Sequence, residues 1–165
     1  MNEAQTELEL IVPALKAAGW GRGVESKIFP QYPISKGRLV GQGRRTQPLR
    51  ADFVLIYKNR RLAVVESKRR DLDYTDGVGQ AKDYAQRLQV RFTYSTNGLK
   101  IYEMDMKEAT EGDVSSFPTP LELWERTFGE ENRNLPAKAD WRDKFSSIPF
   151  EAIGGKWQPR YYQEN

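Results

Sequence analysis

Ala51-Asp52-Phe53-Val54-Leu55-Ile56-Tyr57, Lys58-Asn59-Arg60-Arg61 and Leu62-Ala63-Val64-Val65-Glu66-Ser67-Lys68 follow one another without a break, and their reading decides the fold. Two apolar, β-rich runs flank a short polar segment, the pattern of a β-hairpin. Asp52 stands at the entry of the first run, and Glu66 and Lys68 at the exit of the second. Antiparallel pairing lays the start of one strand beside the end of the next, so these side chains are expected to converge. Glu66 and Lys68 are two apart and therefore share a face. Two carboxylates and a lysine at one sheet end suit a divalent metal and a water held against a phosphate. Charged residues at strand ends also serve as plain solvated caps. The apolar strands, the facing and the downstream motifs favour chemistry over that reading.

The chain has 165 residues, 38% hydrophobic and 30% charged, with a net charge of +3. That length suffices for one domain with a real core. Lys and Arg cluster early, at Arg38, Arg44, Arg45, Arg50, Lys58, Arg60, Arg61, Lys68, Arg69 and Arg70. A basic surface beside acidic ligands fits a polyanion, although any single one of these cations suits a solvated face equally well. Histidine and cysteine are both absent. This excludes His-dependent nucleases, Ser-His and Cys-His hydrolases, zinc fingers and a disulfide scaffold. Carboxylate–Mg²⁺ chemistry remains. The sequence shows no apolar run of membrane-spanning length and no signal peptide at Met1-Asn2-Glu3-Ala4, so no membrane partner is expected.

Glu3 to Ala18 reads as a helix capped by Asn2 and Gln5, with Leu8, Ile11, Leu15 and Ala18 in one stripe. Pro13 is expected to kink or restart it, Gly19 to end it, and Trp20 to fold back on the core. Glu3 and Glu7 lie one turn apart, so either can reach the carboxylate cluster, or both are ordinary first-turn acids. Val24 to Ile34 suggests an edge strand broken by Pro30 and Pro33. Gly37, Gly41 and Gly43 with Arg38, Arg44 and Arg45 form a flexible basic loop, suited to closing on a phosphate backbone or simply to solvent.

Val78 to Leu88 reads as a helix with Val78, Ala81, Ala85 and Leu88 inward and Gln80 and Tyr84 as i,i+4 partners. Arg91 to Thr96 reads as a buried strand, Asn97-Gly98 as a tight turn and Lys100 to Met104 as the next strand. A right-handed crossover makes the strands around the helix parallel. Leu121 to Phe128 reads as a short helix. The expected architecture is α/β (α+β), a central mixed sheet flanked by helices. Its expected domain spans residues 1–128, with 129–165 a linker that, by the resemblance described next, leads into a helicase-type motor.

Asp52, Glu66-Ser67-Lys68 and Gln80-Ala81-Lys82-Asp83-Tyr84 together resemble the PD-(D/E)xK nuclease superfamily. More narrowly they resemble the N-terminal endonuclease domain of the R (motor-nuclease) subunit of type I restriction enzymes. The opening Glu3-Ala4-Gln5-Thr6 … Ala18-Gly19-Trp20, Ser95-Thr96-Asn97-Gly98 and the helicase-like Arg160-Tyr161-Tyr162-Gln163 are similar to that group as well. Ala51 replaces the proline of the motif's name, and Glu7 stands where relatives often carry a basic residue. The resemblance implies Asp52, Glu66 and Lys68 as catalytic residues. It implies Asp52 and Glu66, with Glu3 or Glu7, as ligands of Mg²⁺, for which Mn²⁺ substitutes. Gln80, Tyr84, Arg44, Arg45 and Arg69 are expected to touch DNA or brace the ligands. Implied partners are double-stranded DNA and the methylation and specificity subunits of a cytoplasmic prokaryotic complex. ATP is implied only for motor domains. A silent DNA-docking module and a free-standing nuclease of the same superfamily are the competing readings.

Overall fold

A two-residue turn at Lys58-Asn59 sets the register of the sheet. Both residues adopt left-handed backbone, φ +49° and +59°, the requirement of a hairpin turn that matches strand twist. The computed structural model describes residues 1–35, 39–40, 44–45 and 47–133, of which 39–40, 44–45 and 130–133 as backbone. The turn joins β4 (Leu49–Tyr57) to β5 (Arg60–Ser67), paired from Tyr57↔Arg60 to Phe53↔Val65. Arg60 and Arg61 thus belong to β5, and the turn is tighter than the four polar residues suggested.

β1 (Ser26–Ser35), β6 (Phe92–Thr96), β7 (Ile101–Asp105) and β8 (Thr110–Val114) complete a six-stranded sheet of order β1-β4-β5-β6-β7-β8. β5 and β6 are parallel, joined through α3 (Val78–Leu88), and every other pair is antiparallel. β2 (Leu39–Val40) and β3 (Arg44–Arg45) form a separate two-stranded ribbon. The expected mixed sheet with flanking helices is what the chain builds.

Three details differ from expectation. β1 is continuous rather than broken, because an edge strand can leave Pro30 and Pro33 without ladder donors on its open side. The strain appears instead as a left-handed Gln31, φ +49°, and a register shift between Pro33 and Ser35. The sequence reading did not anticipate β8; its Thr-Glu-Gly-Asp-Val has no apolar alternation to announce it. The first helix restarts at Pro13, as expected, but by way of a wider turn that the sequence did not announce. It passes from α1 (Glu3–Thr6) through a π-helical turn, Glu7–Ile11, into α2 (Val12–Ala17). Pro13 in a regular helix would press on the Glu9 carbonyl; the wider turn just before it makes room.

The sheet carries core on both faces. Phe53, Leu55, Ala63 and Val65 pack under Ile11, Leu15, Trp20 and, from α4 (Pro120–Arg133), Leu123. Val54 and Val64 pack under Tyr84 and Leu88 of α3. Trp20 is fully buried as expected, its indole N–H donating to the Pro118 carbonyl at 2.8 Å. Residues Met1–Glu130 form one compact unit, within which no described helix is long and apolar enough to cross a membrane. The last helix runs on to Arg133, past the expected end at Phe128, so the expected linker over 129–165 begins as helix; the rest of it and the Arg160-Tyr161-Tyr162-Gln163 motif lie outside the described residues.

Candidate active site

Strict alternation along β4 would put Ala51 on the face of Phe53, yet Ala51 packs with Val54 on the α3 side. The alternation of faces is therefore interrupted at Asp52, while pairing with β1 keeps one register on both sides, Pro30↔Phe53 and Tyr32↔Ala51. Asp52 stands just beyond the last β4–β5 pair, Phe53↔Val65, with its carboxylate at the end of β5. There Asp52 Oδ2 accepts two hydrogen bonds from Ser67, one from the backbone N–H at 2.8 Å and one from the hydroxyl at 2.8 Å. The same hydroxyl lies 2.6 Å from Glu7 Oε1. Its single proton serves one of the two acceptors at a time.

Glu3 and Glu7, one turn apart, come down on this corner from the first helix. Oxygens of Glu3, Glu7 and Asp52 all lie within 4.8 Å of one another, enough for one cation to bridge them. Thr6, fully buried between them, accepts the Arg70 N–H at 3.2 Å and so pins the helix to the loop after β5. Both glutamates left open by the sequence, Glu3 and Glu7, thus stand at this corner.

Glu66 stands on the other side of the strand end. It is 2% exposed; Oε1 accepts from Lys68 Nζ at 3.1 Å, and Oε2 is buried without a hydrogen-bond partner. Burial, then the Asp52 charge, pushes its carboxyl up to about 8, against the opposing pull of Lys68. Burial likewise raises Glu7, offset by the Ser67 hydrogen bond and reinforced by Asp52 and Glu3. So the convergence of Asp52, Glu66 and Lys68 takes the form of two adjoining clusters. Glu66 is outside the mutual Glu3–Glu7–Asp52 group and is coupled to it through the field of Asp52.

Three positions that the sequence reading passed over hold this geometry. Ser67 is the hinge just described. Gly77, which precedes α3, lies so close that a Cβ there would stand 2.5 Å from Ser95 Oγ and 3.1 Å from both Glu66 Cγ and Lys68 Cε. Asn97, 7% exposed, donates from Nδ2 to the Leu72 carbonyl at 2.9 Å and accepts the Leu99 and Lys100 N–H groups, holding the 69–77 loop beside β6. A small residue before a helix, a Ser between two charges and the Asn97-Gly98 turn were the signals the sequence carried.

Gln80 and Tyr84 are brought together, Nε2 donating to the phenolic oxygen at 2.9 Å, with Gln80 exposed and Tyr84 in the α3-side core. Arg69 is exposed and paired with Asp71 at 3.2 Å. Arg44 and Arg45 lie in the β2–β3 ribbon; their side chains are outside the described residues.

A buried carboxylate oxygen lacking a partner among the described residues, a carboxyl pushed up by burial and the Asp52 charge, and an all-oxygen donor set with no His or Cys fit a hard divalent cation such as Mg²⁺ or Mn²⁺.

A mixed sheet with acidic residues gathered where β4 and β5 part is an architecture suited to metal-dependent hydrolysis. The family model for the N terminus of type I restriction enzyme R protein (HSDR_N) matches residues 24–118. The chain belongs to that family. It is 30% identical over 178 residues to the type I restriction enzyme EcoAI endonuclease subunit of Escherichia coli, covering 99% of this chain and 20% of that protein. It is also similar to the fragment structure of a type I restriction enzyme subunit, assigned as HsdR, from Vibrio vulnificus YJ016. That likeness has TM-score 0.75 and 37% identity, over 99% of this chain and 30% of the other. The chain thus spans about a fifth of its curated relative and under a third of the solved one.

Proposed function

We propose that this chain is the endonuclease module of a type I restriction enzyme R subunit, hydrolysing phosphodiester bonds of double-stranded DNA with Mg²⁺, for which Mn²⁺ substitutes. The observation that carries this reading is the buried, partnerless Glu66 Oε2 beside the Lys68 ammonium, one residue from the serine that ties Asp52 to Glu7. Asp52, Glu66, Glu3 and Glu7 are the groups that would hold the ion, which when bound polarises a phosphodiester and lowers the pKa of an attacking water. Lys68 keeps a positive charge at the site, orients that water and offsets charge developing on the phosphate oxygens. Ser67 fixes the Asp52 carboxylate through two donors. Gln80, held by Tyr84, offers an exposed amide to the DNA backbone, and Arg69, Arg44 and Arg45 are the cations assigned to its phosphates. Among the described residues no base-reading element accompanies these, so target choice falls to the specificity and methylation subunits. ATP-driven translocation falls to the motor of the whole subunit, acting in a prokaryotic cytoplasm.

Calorimetric titration with Mn²⁺ and Mg²⁺ tests this, with and without a short duplex. Binding by the parent that disappears in both Asp52→Ala and Glu66→Ala, with unchanged circular dichroism, supports the site. A parent that binds neither ion even with duplex present removes it.

A further inference from the structure

The hairpin tip lies at the end of β4–β5 away from the carboxylates and carries a second charged surface. Lys58, Arg60 and Arg61 are exposed there, and β1 adds exposed Lys27, whose backbone pairs with Ile56. The Lys58 N–H donates to the Glu25 carbonyl at 3.0 Å, which locks the start of β1 against the turn. Four cations thus face one carboxylate, Glu25, over residues 24–28 and 57–61.

None of the four holds an ion pair with a described carboxylate. Elsewhere Arg69, Lys82, Arg87, Arg91 and Arg126 each do. The tip's cations rest instead on neutral groups. Lys58 Nζ lies 5.3 Å from the Tyr57 ring centroid and 5.2 Å from that of Trp124, and the Arg60 guanidinium 5.8 Å from that of Phe128. Arg61 donates to the Tyr32 hydroxyl at 3.4 Å. Those rings are themselves packed edge to face, Tyr57 on Trp124 at 5.7 Å. Contacts with aromatic faces order a long side chain without neutralising it. A left-handed two-residue turn fixes the backbone beneath. The surface is rigid, basic and unneutralised.

We infer that this tip is a second contact for duplex DNA, gripping phosphates away from the scissile one. The inference rests on the nuclease reading for its choice of polyanion. Tyr57 lies five steps along β4 from Asp52, roughly 17 Å at the rise of a strand. Duplex DNA carries about one charge per 1.7 Å of axis, so a helix reaching from site to tip presents on the order of ten phosphate charges between them. A contact at that remove adds affinity and direction without touching the chemistry.

Fluorescence anisotropy with a labelled duplex of about 20 base pairs, titrated across salt without divalent ions, tests this on the 165-residue chain. Lys27→Gln combined with Arg61→Gln disturbs no aromatic contact between cation and ring; Lys58→Gln and Arg60→Gln are added in a second variant. The expected result is a weaker Kd and a log–log salt slope that falls by about one for each cation removed. Arg87→Gln, an exposed arginine already paired with Asp83, leaves both unchanged. Mn²⁺ titration is the same in all variants, which separates this surface from the metal site. A slope and Kd that stay at parent values in the quadruple variant overturn the inference, as does an equal loss in Arg87→Gln. Should the quadruple variant lose its circular dichroism signal, the Lys27/Arg61 pair decides by the same criterion.

Discussion

One hydroxyl, that of Ser67, holds together what the first helix and the sheet bring to the site. Removing it leaves Glu7 and Asp52 facing each other with only the Ser67 backbone N–H between them. Ser67→Ala is expected to lower Mn²⁺ affinity by about tenfold, as loss of a ligand-orienting partner does, while circular dichroism stays unchanged. An unaltered calorimetric isotherm would make the serine a bystander. Glu66 makes a separate prediction. Its carboxyl sits at about 8 in the fold and near 4.5 unfolded, so the native state holds the extra proton between those values. That contribution to stability is complete below the unfolded value and is lost as pH rises through the folded one. Metal-free protein should therefore lose melting temperature from about pH 5 to about pH 9, and Mn²⁺ should restore it at the alkaline end. Binding near neutrality should also release a proton, read as a heat that changes with buffer ionisation enthalpy. Equal heats in two buffers would contradict a protonated Glu66.

At the scale of elements, the approach of α3 to β5 decides how tightly Glu66 and Lys68 are set. Gly77→Ala places a methyl 2.5 Å from Ser95 Oγ and 3.1 Å from Glu66 Cγ. Relief requires α3 to lift or Glu66 and Lys68 to shift, at about 1–3 kcal/mol. Chemical denaturation should show that loss, with weakened Mn²⁺ binding; Gly79→Ala, where a Cβ meets nothing within 4 Å, should show neither. This closeness could not be read in the sequence, because it depends on helix and strand meeting in space. What was legible had local causes. Continuous apolar runs fixed β4 and β5, a 3.6-residue stripe fixed α3, and Asn97-Gly98 fixed the turn before β7. The interrupted alternation at Asp52, the π-turn just before Pro13 and the polar strand β8, paired with β7, depend on neighbours in space. Their side chains carry no periodicity to betray them. Asp52, Glu66 and Lys68 were therefore legible as a set, while the division into two clusters was not.

For the molecule as a whole, the site occupies one end of the sheet and a cluster of arginines clamps the other. Arg126 on α4 binds both oxygens of Glu103, at 2.6 and 3.0 Å, and Tyr94 donates to the same carboxylate at 2.7 Å. Arg91 grips Asp105 with two donors, at 2.9 and 2.7 Å, and reaches the Arg126 carbonyl at 2.7 Å. Burial alone would raise the Glu103 carboxyl; hydrogen bonds from Arg126 and Tyr94 outweigh it and leave the group below its usual range. For Asp105, burial is outweighed by Arg91 and by the Glu108 and Lys107 N–H groups, again with a net lowering. A lowered carboxylate binds fewer protons in the native state than unfolded. Its stabilisation is therefore present above the unfolded value and drains away as pH falls through the folded one. Arg126→Gln should cost about 1 kcal/mol at neutral pH, a modest figure because the guanidinium is 42% exposed. That deficit should shrink as the solution is acidified and vanish once Glu103 has taken up its proton in the folded state, below its usual carboxylate range. Melting temperatures of parent and variant at about pH 7, 5 and 3 check this; a gap that stays constant would mean Arg126 acts through its stacking on Phe92, 4.3 Å from the ring centroid, rather than through charge. Mn²⁺ affinity should not move in either case, because Glu103 and Asp105 lie on β7, two strands across the sheet from Glu66 on β5.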